Sequence, residues 1–244
     1  MAASWKYESE KHRLIDSRNS SAEAMSTEQR PFAEVNGKSI YFDEDWDTGI
    51  GGGLWSTGAA MAKYFERHAS SVRRNLRRLK NGGDLRAVEL GSGNGYLSVC
   101  LAAVADGLIS SLALTDLEDH LPLMRKTIGS NPHLFLGITN VFVSEHKWGE
   151  FDNENDEVAN EKVDFIFGSD VAYRDHLHAP LIASLKRLSH ENTISFLGVT
   201  MLDTKPSFFE ALSEAGFRYE RLADHLMEPE FRGPTFGLFV IQPV

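Results

Sequence analysis

Val88-Glu89-Leu90-Gly91-Ser92-Gly93-Asn94-Gly95 is the stretch that decides the fold. Strand-like residues run into three glycines spaced two apart, and the apolar, helix-like stretch 96–105 follows without a break. Glycines let the backbone turn sharply and approach a ligand with no Cβ in the way. A loop at the carboxyl end of a strand is also where open α/β sheets bind their ligands. Two rival glycine loops fail on spelling. The dinucleotide fingerprint G-x-G-x-x-G needs glycine where this chain has Tyr96, and a P-loop needs a Gly-Lys-Ser/Thr that does not follow here.

Downstream of the loop, strand-like and helix-like stretches alternate, the mark of a layered α/β sheet. Strands are predicted at 85–90, 111–115, 139–144, 163–168 and 193–200. Helices are predicted at 96–105, 120–129, 176–188 and 207–215, the last closed by Gly216. Two further strands, 217–222 and 236–242, have no helix between them. That closing strand–loop–strand matches the antiparallel hairpin by which a methyltransferase sheet differs from a dinucleotide-binding one. The expected fold is therefore α/β, a seven-stranded Rossmann-like class I methyltransferase sheet with a C-terminal antiparallel hairpin. Upstream, Asn36-Gly37 supplies the positive-φ pair of a tight turn between 31–35 and 38–42, predicting a small N-terminal β-hairpin. Gly49-Ile50-Gly51-Gly52-Gly53 is too permissive to form a helix unaided, and a helix is predicted at 56–68, capped by the hydroxyl of Ser56 or Thr57.

At 244 residues the chain suits one ample domain. Residues 1–30 are polar and aperiodic and read as a mobile leader ahead of a single domain over 31–244. A formal net charge of −10 argues against a nucleic-acid partner, because a broad grip on phosphates needs clustered Lys and Arg. No run approaches the roughly 18 apolar residues of a membrane span, and residues 1–30 lack the apolar core of a secretory signal. Cys100, the single cysteine, excludes an internal disulfide and reads as a small buried hydrophobe. A cytoplasmic monomer is expected, with the nucleus as a second compartment and no membrane. His176 and His178 lie on different faces of a helix, with no carboxylate at helical spacing, so no metal site is expected. Six carboxylates, from Glu150 to Glu161, crowd one segment: either a solvated loop or an acidic rim that attracts a cationic protein.

Glu89, two residues before the first glycine, suits a ligand with a cationic amino-acid end better than a pyrophosphate. Asp116, just past the second strand, can accept both hydroxyls of a ribose, or else cap the next helix. Together they point to S-adenosylmethionine, with a nucleotide as the alternative.

Several separated motifs, taken together, resemble the family 16 protein-lysine methyltransferases of the seven-β-strand class. They are Gly53-Leu54-Trp55-Ser56, the glycine loop itself, Leu114-Thr115-Asp116-Leu117, Lys147-Trp148-Gly149 and Gly168-Ser169-Asp170-Val171-Ala172-Tyr173. The last carries the D-x-x-Y motif of that family as Asp170 and Tyr173. The resemblance implies that Trp55 approaches the cofactor from the N-terminal side and that Gly91, Ser92 and Gly93 line its methionine end, beside Glu89. It places Asp116 and Leu117 at the adenosine, Trp148 against the adenine and Ser169 beside the methyl group. Asp170 and Tyr173 would face the acceptor nitrogen, which the family takes from a lysine of a protein substrate. A nucleic-acid amino-methyltransferase would show two prolines where Val171 and Ala172 stand. Small-molecule N- or O-methylation, and a non-catalytic cofactor-binding interaction protein, remain as alternatives, because one fold supports many acceptors. The stretch 224–234 is where substrate selection is expected.

Overall fold

The computed structural model describes residues 30–80, 82–152 and 156–244. The leader expected over residues 1–30 lies outside them but for its last residue. The N-terminal hairpin forms as predicted, from β1 (Ala33–Val35) and β2 (Lys38–Ile40), with Asn36 and Gly37 at φ 54° and 71° in its turn. Two single-turn 3-10 helices, Trp46–Thr48 and Ile50–Gly52, then lead into α1 (Ser56–Arg67) and α2 (Ala69–Lys80). The second helix is a finding beyond the sequence prediction. Its buried residues, Ala69, Val72 and Leu76, form a narrow apolar stripe on an otherwise basic surface.

The remaining elements alternate as expected: β3 (Arg86–Leu90), α3 (Tyr96–Ala105), β4 (Ser111–Asp116), α4 (Leu121–Ser130) and β5 (Asn140–Glu145). Then come β6 (Val163–Ser169), α5 (Asp175–Leu188), β7 (Ser189–Thr200), α6 (Pro206–Glu214), β8 (Phe217–Arg221) and β9 (Phe236–Pro243). Strands β3 to β9 form one seven-stranded sheet in the order β5-β4-β3-β6-β7-β9-β8. All neighbours are parallel until β9, which runs antiparallel to both β7 and β8. The class I methyltransferase sheet, with its C-terminal antiparallel hairpin, is the fold of this chain.

Strand side chains alternate between two apolar layers, as a sheet covered on both faces requires. Leu112, Leu114, Phe165 and Phe167 pack with α1 to α4 on one face. Val88, Leu90, Ala113 and Ile166 pack with α5 and α6 on the other. Glu89, at the odd position between Val88 and Leu90, therefore turns toward α3, where Ser98 donates to it. The hairpin is fastened to the same layer through fully buried Asn131, whose side chain donates to Tyr41 O at 2.6 Å and accepts from Tyr41 N at 2.8 Å.

One prediction about local structure fails. The residue preceding α1 is Trp55, which makes no side-chain cap, and neither Ser56 nor Thr57 is the cap residue. The Thr57 hydroxyl is fully buried and spent instead on Asp170, 113 residues away.

Candidate active site

β4 lies on one side of β3 and β6 on the other, so the sheet reverses its order of winding at β3. Crevices form at such switch points, outside the carboxyl ends of the strands. A cavity of about 490 Å³ lies there, within the range of small-molecule sites. Every site residue singled out in the sequence lines it.

The glycine loop is shaped by necessity. Gly91 and Gly93 have φ of 65° and 54°, a region that favours glycine. A Cβ on Gly91 would stand 2.9 Å from Val171 Cγ1 and 3.0 Å from Trp148 Cζ2. One on Gly93 would stand 2.6 Å from Gly51 O, in the preceding glycine segment. Ser92 stitches the loop to β4: its N–H donates to Thr115 O at 2.9 Å, and its Oγ accepts Thr115 N–H at 3.0 Å. Asn94 Nδ2 donates to Gly53 O at 2.8 Å, clasping the glycine segment from the other side.

Two carboxylates serve this loop. Glu89 is 2% exposed and accepts the Ser98 hydroxyl at 2.5 Å. Burial pushes its carboxyl up to about 8, against the pull of the Ser98 and Ser92 hydrogen bonds. Asp116 Oδ2 accepts Gly93 N–H and its Oδ1 accepts Leu117 N–H, each at 2.7 Å. Burial raises the Asp116 carboxyl above the usual carboxylate range, while those N–H groups and His120 pull it down.

Aromatic and apolar groups form the walls. Trp55 is half exposed, donates its Nε1–H to Ile50 O at 2.8 Å and meets Trp46 edge-on at 5.8 Å. Trp148 is partly buried against Gly91, and Leu117 is exposed at the mouth.

Beyond the cradle, Ser169 ends β6, and its Oγ would lie 3.2 Å from a Cβ built on Gly58. Asp170 follows at φ 53°, its N–H donating to Gly198 O at 2.9 Å. Its Oδ1 accepts the hydroxyls of Thr57 and Thr200, each at 2.8 Å. Burial raises the Asp170 carboxyl above the usual range, and the two hydroxyls act against that rise. Tyr173 lines the cavity, with the Arg174 guanidinium 5.7 Å from its ring centroid.

A model of the lysine methyltransferase family matches residues 34–215. The chain belongs to that family. With membership comes the cofactor, S-adenosylmethionine, and a cradle that two Cβ atoms would fill leaves backbone room for it. This lysine methyltransferase family member is 26% identical over 168 residues to a UPF0665 family protein of Schizosaccharomyces pombe, a match covering 68% of the chain and 47% of that protein. It thus spans about half the length of that curated relative. Among solved structures, an O-methyltransferase family protein from Burkholderia thailandensis aligns with a TM-score of 0.53 at 14% identity, over 76% of this chain and 58% of that one. The CurJ carbon methyltransferase aligns at 0.53 and 12% identity, over 72% of this chain and 54% of that one. At such identities the likeness is one of fold.

The cavity also holds residues that the sequence reading did not single out. His120 is 8% exposed and packs its ring on Gly51, where a Cβ would stand 2.3 Å from Cδ2. Its Nδ1 lies 2.8 Å from Asp119 Oδ1 without hydrogen-bond alignment, and its Nε2 has no partner among the described residues. A histidine four residues after Asp116 on a helical turn was the available signal. His146 links Asp156 Oδ2 at 2.6 Å to Ser184 Oγ at 3.0 Å, and Ser184 Oγ accepts Gly149 N–H at 3.1 Å. This buried chain fixes the turn that carries Trp148.

One expectation is corrected here. Asp156 is 2% exposed and also accepts Val158 and Ala159 N–H, so it belongs to the core and not to an acidic rim. The stretch 224–234 does not line the cavity. It braces the far end of α1, through an Arg67–Glu228 ion pair at 3.0 Å and a His68–Leu226 O hydrogen bond at 2.6 Å. His178, one of the two histidines weighed for a metal, is spent on Ala172 O at 3.1 Å. No helix among the described residues is long and apolar enough to cross a membrane.

Proposed function

We propose that this protein transfers a methyl group from S-adenosylmethionine to the side-chain amine of a lysine in a protein substrate. One observation carries the reading: a carboxylate and a phenol, Asp170 and Tyr173, border the same cavity as the glycine cradle. Glu89 would pair with the amino group of the cofactor, and Gly91, Ser92 and Gly93 would pass its methionine end. Asp116 would accept the ribose hydroxyls, with Leu117 and Trp148 against the adenine, Trp55 across the mouth and Ser169 beside the methyl group. When bound, the cofactor supplies an electrophilic methyl carbon on a sulfonium that leaves as a neutral thioether.

Such a displacement needs a neutral, aligned amine, and most of its acceleration comes from positioning. A lysine ammonium, with an ordinary pKa near 10.4, must first lose a proton to solvent. Desolvation as the amine enters the cavity beside the bound cofactor favours that loss. Asp170 then orients the amine and offsets the positive charge that develops on nitrogen, while Tyr173 offers its hydroxyl and ring face. The protein would act as a monomer in the cytoplasm, with the nucleus as a second compartment.

The test is incubation with methyl-labelled S-adenosylmethionine and total lysate protein, followed by acid hydrolysis. Label should appear as methyl-lysine, and be lost in Asp170→Ala and strongly reduced in Tyr173→Phe, with cofactor affinity preserved. Label in nucleic acid or metabolites, or full activity in Asp170→Ala, would sink the proposal.

A further inference from the structure

Two short oxygen–oxygen contacts meet at Asp170, and a third joins their donors. Thr57 Oγ1 and Thr200 Oγ1 each lie 2.8 Å from its Oδ1, and 3.1 Å from one another. Each hydroxyl has one proton to give. Both protons go to the carboxylate, and the contact between the threonines is that of two donors gathered by one acceptor. The three residues come from α1, from the turn after β6 and from the end of β7. The main chain of Asp170 is fixed as well, by its N–H to Gly198 O and by a left-handed φ of 53°, which costs a residue with a Cβ about 1 kcal/mol or more. The backbone N–H groups of Thr57 and Thr200 also draw on the carboxylate, and no side chain donates to Oδ2 among the described residues.

We propose that Thr57 and Thr200 are positioning residues of the acceptor site, holding Oδ1 of Asp170 so that Oδ2 alone is presented to the acceptor amine. The inference rests on the reading of Asp170 as the residue that faces that amine. A carboxylate held only at Cβ can rotate about its last torsion, and the two hydroxyls remove that freedom. They also favour the ionised form against the burial that raises the carboxyl, since donors to the charged form stabilise it. No cation pairs with Asp170 among the described residues. The titratable groups that share its part of the cavity are Tyr173 and His176 before and within α5, and Asp203 beyond β7; Glu89 and Asp116 stand toward the cradle. Fully buried Thr57 thereby ties the acceptor side to α1, two residues after Trp55.

The variants Thr57→Val and Thr200→Val keep side-chain volume and remove the hydroxyl; Thr57→Ser and Thr200→Ser keep the hydroxyl. The lysate assay with methyl-labelled S-adenosylmethionine reads transfer, calorimetry reads cofactor affinity, and carbon NMR of labelled aspartate, assigned with Asp170→Asn, reads the titration of the carboxyl. Each valine variant should lower transfer about tenfold, the worth of a hydrogen bond to a charged group. Cofactor affinity should stay within about twofold, since neither hydroxyl touches the cradle. The Asp170 carboxyl should titrate at higher pH in the valine variants, and the serine variants should restore both rate and titration. Valine variants as active as wild type, or serine variants as impaired as valine, would overturn the proposal. Should the wild-type protein yield no methyl-lysine, the lysine reading falls alone; an unchanged NMR titration in the valine variants then overturns the network, and a raised one upholds it.

Discussion

Glutamine in place of Glu89 should make the cofactor-free protein more stable and the cofactor-bound protein harder to form. The side chain is 2% exposed, and its carboxyl is pushed by burial from 4.5 up to about 8. A carboxyl raised on folding favours the folded state below pH 4.5, and that advantage is lost as pH rises toward 8. At pH 7 the unfolded group is ionised and the folded one is about nine-tenths protonated. With 1.36 kcal/mol for each of roughly 2.5 pH units, the penalty is about 3 kcal/mol. Glutamine escapes it but buries a second N–H donor beside Ser98 that the neutral carboxyl does not carry, at a cost of about 1 kcal/mol. The net gain of about 2 kcal/mol corresponds to about 4–8 °C in Tm for a chain of this size. At pH 5 the two contributions cancel. The assay is a thermal melt of both proteins from pH 5 to 8, with and without S-adenosylmethionine. Wild-type protein should also release about 0.9 proton on binding at pH 7, measured by calorimetry in buffers of different ionisation heat, because the cationic amino group draws the ionised form. Glu89→Gln should release none and bind at least tenfold more weakly. A stability difference that is the same at pH 5 and pH 8, or wild-type affinity with unchanged proton release, would refute this account of Glu89.

Gly91→Ala should lose cofactor binding and about 2 kcal/mol of stability, because its methyl would meet Val171 and Trp148 at a φ of 65°; urea unfolding and calorimetry check both. Asp156→Ala should cost about 3 kcal/mol in urea unfolding at pH 7, since it strands buried His146. Burial works against the ionised Asp156, but the His146 bond and two backbone N–H groups hold its carboxyl below the usual range. Its contribution is therefore present above pH 4 and lost as pH falls through the depressed folded value, so the gap between variant and wild type should close in acid.

The sheet was legible because its strands alternate locally: Val88 and Leu90 against Glu89, Ile166 against Phe165 and Phe167. The glycine loop was legible because its spelling excludes its rivals. α2 was missed although Val72 and Leu76 stand at helical spacing, because three buried residues in twelve leave little apolar signal among arginines. Thr57 was misread as a cap because only its local position was visible; its partner, Asp170, is brought to it by the sheet. The same holds for Asp156, which six carboxylates crowded into one segment made look solvated, and whose burial depends on a histidine and a serine from two other elements. Such pairings depend on tertiary geometry, and no residue pattern within one segment encodes them.

Gly51 and Gly93 approach backbone to backbone, so that neither tolerates a side chain beside the other. The two glycine segments, some forty residues apart, therefore constrain one another: with no side chain on either to remove, a Cβ on Gly93 could be relieved only by moving backbone. The residues before the sheet consequently make one side of the ligand chamber. A chain trimmed to begin at β3 would bare the sheet face that α1 and α2 cover, and would leave the cradle without the surface that Gly51, Gly53 and Trp55 provide.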